Sequence, residues 1–87
     1  MKDKIYKKLK GFRALTTKNY QDTDHWTLWT GETRNGEKNV AIEYVEATVR
    51  VYVFEGHLLD YDMQFSENVP AIVIVTAVAQ VLNSVGK

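Results

Sequence analysis

Residues 40–54 read VAIEYVEATVRVYVF and have the clearest strand character in the chain. Most of these residues are β-branched or aromatic, which is typical of strands. A tight turn at Glu46-Ala47 would oppose apolar residues such as Ile42 and Val51, and it would place Glu43 opposite Arg50. The pattern therefore predicts a β-hairpin over residues 40–54.

A second interpretation of the same stretch is one long bent strand. Apolar residues occupy nearly all odd positions from 41 to 53. Neither Glu nor Ala is a preferred residue in a tight turn. From the sequence alone, both interpretations stay open.

Four strands in total are predicted, over residues 25–31, 39–45, 48–54 and 58–65, because each segment is rich in β-branched or aromatic residues. Between the first two, Asn35-Gly36 is a strong hairpin turn motif. A two-residue loop there would oppose Trp29 to Ile42, whereas a three-residue loop would oppose Leu28 to Ile42. Which tryptophan is buried depends on that choice.

The last hairpin is predicted to turn through Glu55-Gly56-His57. This connection opposes Val53 to Leu59 on one face and Arg50 to Asp62 on the other. A two-residue turn would place Asp60 opposite an apolar residue, so the three-residue turn is preferred.

Helices are predicted at both ends of the chain. Ile5, Leu9 and Phe12 recur at helical spacing over residues 3–14, with lysines on the opposite side, and residues 16–24 are predicted to be a loop. Ser66 and Pro70 favour the start of a second helix. Its buried arc is predicted from the residues that share one side: Ala71, Ile74, Val75, Val78, Val81, Leu82 and Val85.

These elements predict one α+β domain over residues 1–87. An N-terminal helix precedes a four-stranded antiparallel meander, and the C-terminal helix packs on one sheet face. The other arc of that helix, around Val73 and Ala77, carries no charge. A solvent-facing arc normally carries charge, so this arc is predicted to be covered as well.

Charge is unevenly distributed along the chain. Residues 1–20 hold seven Lys or Arg and one Asp, a net charge of +6, and residues 21–87 have a net charge of −6. A basic segment of this kind can bind nucleic acid or another anion. The candidate residues for such binding are Lys4, Lys7, Lys8, Lys10 and Arg13.

Several classes of function receive no support. Cysteine is absent, which excludes disulfides and thiolate chemistry and favours a cytoplasmic location. Residues 68–86 are uncharged, but polar residues interrupt them, so no membrane span is expected. No nucleophile or phosphate-binding motif occurs, and no catalytic residue, metal or cofactor is predicted.

A divalent metal ion would have two clusters available. One is Asp22, Asp24 and His25, and the other is His57, Asp60 and Asp62. An ion could use both only if the start of the first strand met the start of the fourth strand. A small metal-dependent enzyme is therefore the third hypothesis for function.

The leading hypothesis is a non-catalytic protein-binding domain that forms a homodimer. Small accessory proteins of mobile elements often have such a composition. Aromatic residues beside paired charges, and the uncharged helix arc, are the candidate interfaces. The interface residues are Arg50, Tyr52, Phe54, Leu58, Val73 and Ala77. The alternative is a nucleic-acid or anion binder through the basic N-terminal helix.

Overall fold

The part of the chain that the structure describes folds as two helices and five strands. A computed structural model describes residues 2–10, 13 and 15–85. In chain order the elements are α1 (Lys2–Lys10), β1 (Leu15–Asp22), β2 (Trp26–Thr33), β3 (Lys38–Val45), β4 (Thr48–Glu55), β5 (Leu58–Ser66) and α2 (Ala71–Val85).

The strands form one sheet in the order β1-β2-β3-β4-β5, and every neighbouring pair is antiparallel. The two helices contact each other, and α1 also contacts β1. Their apolar side chains share one core with the sheet, so one sheet face is covered and the other carries no helix. The predicted α+β class and antiparallel meander are confirmed, but the sheet has five strands and not four.

The additional strand is β1, which lies where a loop was predicted. Its register against β2 shifts between Thr17 and Asn19, so Lys18 is an extra residue that interrupts the alternation. Leu15 faces the core, and Tyr20 packs against it. A bulge hides the period-two pattern of a strand, which is why the sequence reads as a loop. The predicted α1 end at residue 14 was too late, since Arg13 lies in a turn, and residues 11, 12 and 14 lie outside the described part of the chain.

The β3–β4 hairpin has the predicted pairing. Ile42 opposes Val51 and Glu43 opposes Arg50. Glu46 and Ala47 adopt φ angles of 49° and 66°, the left-handed conformation that a two-residue hairpin turn requires. The long bent strand is therefore not formed.

The β2–β3 register opposes Trp29 to Ile42, so Trp29 is the tryptophan that enters the core. Its side chain is fully buried, and its indole Nε1 donates a hydrogen bond to Thr17 Oγ1 at 3.1 Å. A Cβ atom on Gly31 would lie 2.3 Å from the Trp29 ring. The indole fits because residue 31 has no side chain.

The predicted β4–β5 register is wrong. Val53 opposes Tyr61 and Phe54 opposes Leu59, with a register shift between the two pairs. Asp60 is therefore the extra residue of a second bulge. The turn is the two-residue connection that the sequence argument rejected, since Glu55 opposes Leu58. It is possible because the bulge accommodates Asp60 without placing it opposite an apolar residue.

The predicted C-terminal helix is confirmed as α2. Its buried arc consists of Ala71, Ile74, Val75 and Val78, with Val81 and Leu82 packed at the margin. The side chain of Val85, also predicted on this arc, lies outside the described part of the chain. Val73 is 48% exposed and Ile72 is 55% exposed. Within this chain, the uncharged outer arc of α2 is thus left uncovered.

Candidate functional site

The sheet face opposite the helices is the first candidate binding surface. We call it the open face. Alternation along the paired strands places the following side chains on it, most of them half-buried: Trp26, Leu28, Thr30, Ala41, Glu43, Val45, Arg50, Tyr52, Phe54, Leu59 and Asp62. The open face is therefore mainly apolar and aromatic, with a few charges.

An aromatic cluster occupies the β4 part of the open face. Tyr52 and Phe54 stack with their ring centroids 6.3 Å apart. The guanidinium carbon of Arg50 lies 5.2 Å from the Tyr52 ring centroid, within the range of a cation–π contact. The structure thus places three of the predicted interface residues in one row along one strand.

Charged groups on the open face pair with other residues of the same face. Arg50 Nη2 lies 3.8 Å from Asp62 Oδ2. Glu43 Oε2 accepts a hydrogen bond of 2.7 Å from Trp26 Nε1. Arg50 and Asp62 were predicted to be directly opposite, but Tyr52 opposes Asp62, so this ion pair is diagonal. The face has no excess of positive charge.

A shallow concavity of about 450 Å³ lies beside the aromatic cluster. Lys18, Asn19, Thr30, Ala41 and Phe54 are among its lining residues. Lys18 Nζ lies 3.6 Å from Glu32 Oε2. The concavity is thus continuous with the Phe54 ring and bordered by a paired lysine.

The predicted register places Leu58 beside Phe54, but the structure does not. The bulge at Asp60 places Leu59 opposite Phe54 and Leu58 opposite Glu55, so Leu58 points to the helix side of the sheet. Leu58 is 74% exposed because it lies at the end of the sheet. Leu59 takes the position on the open face that Leu58 was expected to occupy.

A buried ammonium group lies on the helix side, and sequence reasoning did not identify it. Lys38 is 6% exposed, and its Nζ donates hydrogen bonds to Glu55 Oε2 at 2.6 Å and to Asp60 Oδ2 at 2.7 Å. Burial lowers the pKa of Lys38, but the hydrogen bonds to Asp60 and Glu55 outweigh it and raise the pKa above its usual value. Only the bulge brings Asp60 to this face, so alternation along β5 could not have shown it.

The uncharged arc of α2 is the second predicted interface. Val73 is exposed and Ala77 is half-buried. This arc lies on the side of the molecule opposite the open face. The two predicted interface groups are therefore separate surfaces.

The basic candidates lie on and after α1. Lys7 and Lys8 are exposed, on the side of the helix away from the buried Ile5 and Leu9. Arg13 is exposed, and its carbonyl accepts a hydrogen bond of 2.6 Å from Arg34 Nε. Lys4 and Lys10 belong to α1, but their side chains lie outside the described part of the chain.

The two candidate metal clusters lie at opposite ends of the sheet. Asp22 and His25 flank the β1–β2 turn, and His57 lies in the β4–β5 turn. Asp22 Oδ1 accepts a hydrogen bond from Thr27 Oγ1 at 2.8 Å, and Asp60 contacts Lys38. Among the residues that the structure describes, no group of three or more His, Asp or Glu side chains is arranged to hold a metal ion.

Comparison with known proteins gives no relative: no protein-family model, curated protein or solved structure matches the chain. Neither helix, within the described residues, has the length and apolar run that a bilayer-spanning helix needs. Any functional assignment therefore depends on the surfaces themselves.

Proposed function

We propose that this chain is a small non-catalytic protein-binding domain that self-associates and binds a partner protein on its open face. The observation that carries the proposal is the row formed by Arg50, Tyr52 and Phe54 on a sheet face that no helix covers. Tyr, Trp and Arg are the residues that contribute most often to the energy of protein interfaces. A cytoplasmic location and a role as an accessory protein of a mobile element stay predictions from composition.

The chemistry of the open face favours a protein partner with an apolar surface. Arg50 already pairs with Asp62, and Glu43 holds the indole of Trp26. An aromatic surface that stacks nucleic-acid bases works beside unpaired positive charge, which the described residues of this face do not provide. Apolar side chains from a partner could cover Tyr52 and Phe54 without breaking either pair, and the concavity beside Phe54 offers room for one of them.

The proposal predicts that Phe54→Glu removes partner binding. The tagged chain would be used to capture proteins from extracts of the cells that carry its gene, with and without the substitution. We expect a captured protein that is retained by the control Thr48→Glu, at the margin of the same face, and lost with Phe54→Glu. A truncated anchor at an interface centre typically lowers affinity by about 2 kcal/mol or more, roughly thirtyfold.

The contrary result would be an unchanged set of captured proteins with Phe54→Glu, provided that circular dichroism shows the variant to be folded. Removal of the captured proteins by nuclease, or by Lys7→Glu with Lys8→Glu, would point to the basic helix instead.

The alternative function is nucleic-acid or anion binding through α1. The observation that favours it is the exposure of Lys7 and Lys8 on the outer side of that helix. Binding of this kind should weaken steeply as salt is added, because phosphate contacts release counterions. A chain that binds neither duplex nor single-stranded nucleic acid at low salt would exclude it.

A further inference from the structure

The sheet has two edges, and they differ in whether they can accept another strand. β1 carries the Lys18 bulge, and its residues from Thr16 to Asn19 are exposed and polar. Bulges and lysines are the devices by which proteins block sheet edges. The β1 edge is therefore protected.

The β5 edge is protected over only part of its length. The Asp60 bulge lies near the start of the strand, and residues 61–66 pair regularly with β4 on one side. No strand lies on the other side of these residues within the described chain. This half contains neither Lys nor Pro, and it exposes Tyr61 by 37%. It is the open edge of the molecule.

Residues 61–66 are complementary to a second copy of themselves in one register. A twofold axis at Met63 would oppose Tyr61 to Phe65 on the helix side and Asp62 to Gln64 on the open face. An axis at Asp62 would oppose two carboxylates, and an axis at Gln64 would oppose Tyr61 to the acidic Glu67. Cross-strand pairs are favourable for aromatic residues and unfavourable for like charges, so the Met63 register is preferred.

We propose that a second copy of this chain adds to residues 61–66 of β5, antiparallel, about a twofold axis at Met63. The proposal deepens the self-association proposed above and rests on it. It joins two five-stranded sheets into one continuous sheet. Because α1 lies against β1 and α2 lies beside α1, α2 of each copy is the helix nearer to the new seam, and the open faces of both copies stay accessible.

Engineered cysteines test the register directly, since the natural chain has none. Met63→Cys would place two thiols opposite each other across the axis, within reach of a disulfide or a short bismaleimide. The matched controls are Thr16→Cys on the β1 edge and Thr76→Cys on the outer arc of α2, both at exposed positions. We expect a crosslinked dimer from Met63→Cys alone, detected by denaturing electrophoresis at micromolar protein concentration.

Charge substitutions at Gln64 provide a second test without altering the core. Gln64 is exposed and opposes Arg50 within its own chain. In the dimer it would oppose Asp62 of the other copy. Gln64→Lys should tighten the dimer and Gln64→Glu should weaken it, each by roughly two- to thirtyfold in dissociation constant, since two such pairs form per dimer. The effects on the stability of the single chain have the opposite sign, because Lys at position 64 would repel Arg50 and Glu would attract it.

Light scattering and sedimentation separate the outcomes. A monodisperse 10.0 kDa monomer at micromolar concentration would overturn both self-association and the β5 mode. A dimer that crosslinks through Thr16→Cys or Thr76→Cys, and not through Met63→Cys, would overturn the β5 mode and leave self-association intact. A lower dissociation constant of the dimer for Gln64→Lys, together with a higher one for Gln64→Glu, would support the proposal.

Discussion

Lys38 shows how one side chain can connect a hairpin to a bulge. Its ammonium is buried at one end of the sheet, where it contacts the carboxylates of Glu55 from β4 and Asp60 from β5. Because its folded pKa is raised, the ammonium stabilises the fold fully from neutral pH up to the ordinary lysine pKa of about 10.4. On the alkaline side, that contribution is lost as the pH rises through the folded pKa.

Lys38→Met is expected to destabilise the chain at neutral pH, since Glu55 and Asp60 would then lie close together without a cation. The difference in unfolding midpoint from the natural chain should stay constant between pH 7 and pH 9, roughly a unit below the ordinary lysine pKa. Urea denaturation checks it. The matched control is Lys18→Met, whose ion pair is exposed and should contribute little. Equal effects of the two substitutions would contradict this account.

Among the residues that the structure describes, the buried hydroxyl group of Tyr6 has no hydrogen-bond partner. The residue is 2% exposed, and its ring lies 4.9 Å from that of Tyr20. Burial, followed by the charges around it, raises the pKa of Tyr6 well above its usual value. In an alkaline spectrophotometric titration, Tyr6 should ionise only with unfolding.

Tyr6→Phe is expected to raise the free energy of unfolding by about 1 kcal/mol, because an unpaired buried hydroxyl is destabilising. Tyr44→Phe is the matched control. The Tyr44 hydroxyl donates a hydrogen bond of 2.5 Å to Glu67 Oε2, so its removal should lower the free energy by about 1 kcal/mol. Thermal or urea unfolding measures both. A loss of stability in Tyr6→Phe as large as in Tyr44→Phe would show that the Tyr6 hydroxyl has a partner.

At the scale of elements, the β3–β4 turn is held against the preference of its residues. Glu46 and Ala47 both have positive φ angles, which residues other than glycine adopt at a penalty of about 1–2 kcal/mol. Tertiary packing of the two strands, whose inward residues Val40, Ile42, Val49, Val51 and Val53 are buried, imposes the conformation.

Ala47→Gly should therefore raise the free energy of unfolding, by about 0.5–1 kcal/mol once the greater freedom of the unfolded chain is subtracted. Ala41→Gly, within β3, should instead lower it by about 0.5–1 kcal/mol. Paired urea titrations would measure the two effects. If both variants lost stability, the turn would not be strained as described.

The elements that could be predicted from sequence are those with unbroken alternation. β3 and β4 pair without a register shift, so their pattern of charges and apolar residues predicts the register. β1 and β5 each contain one extra residue, Lys18 and Asp60. An extra residue reverses the facing of every residue on one side of it, and no property of Lys or Asp indicates where that occurs.

For the whole molecule, the sequence predicted two candidate interfaces but could not place all of their residues. Tyr52 and Phe54 lie on the open face because β4 is regular, and this could be predicted. The position of Leu59 and the contact of Asp60 with Lys38 could not, because both depend on the Asp60 bulge. The predicted meander already places residues 58–65 at a sheet edge, but which half of β5 pairs regularly depends on the same bulge.

The Lys18 bulge has a consequence for how far copies of this chain can assemble. If two copies join through β5, the only strands left at the ends of the combined sheet are the two β1 strands. Each presents a bulge and a lysine, and such an edge resists the addition of a further strand. Growth into a cross-β fibre requires a fresh edge after every addition. Such an assembly would stop at two copies, and Lys18, which lies at the far side of the molecule from the proposed interface, would limit its size.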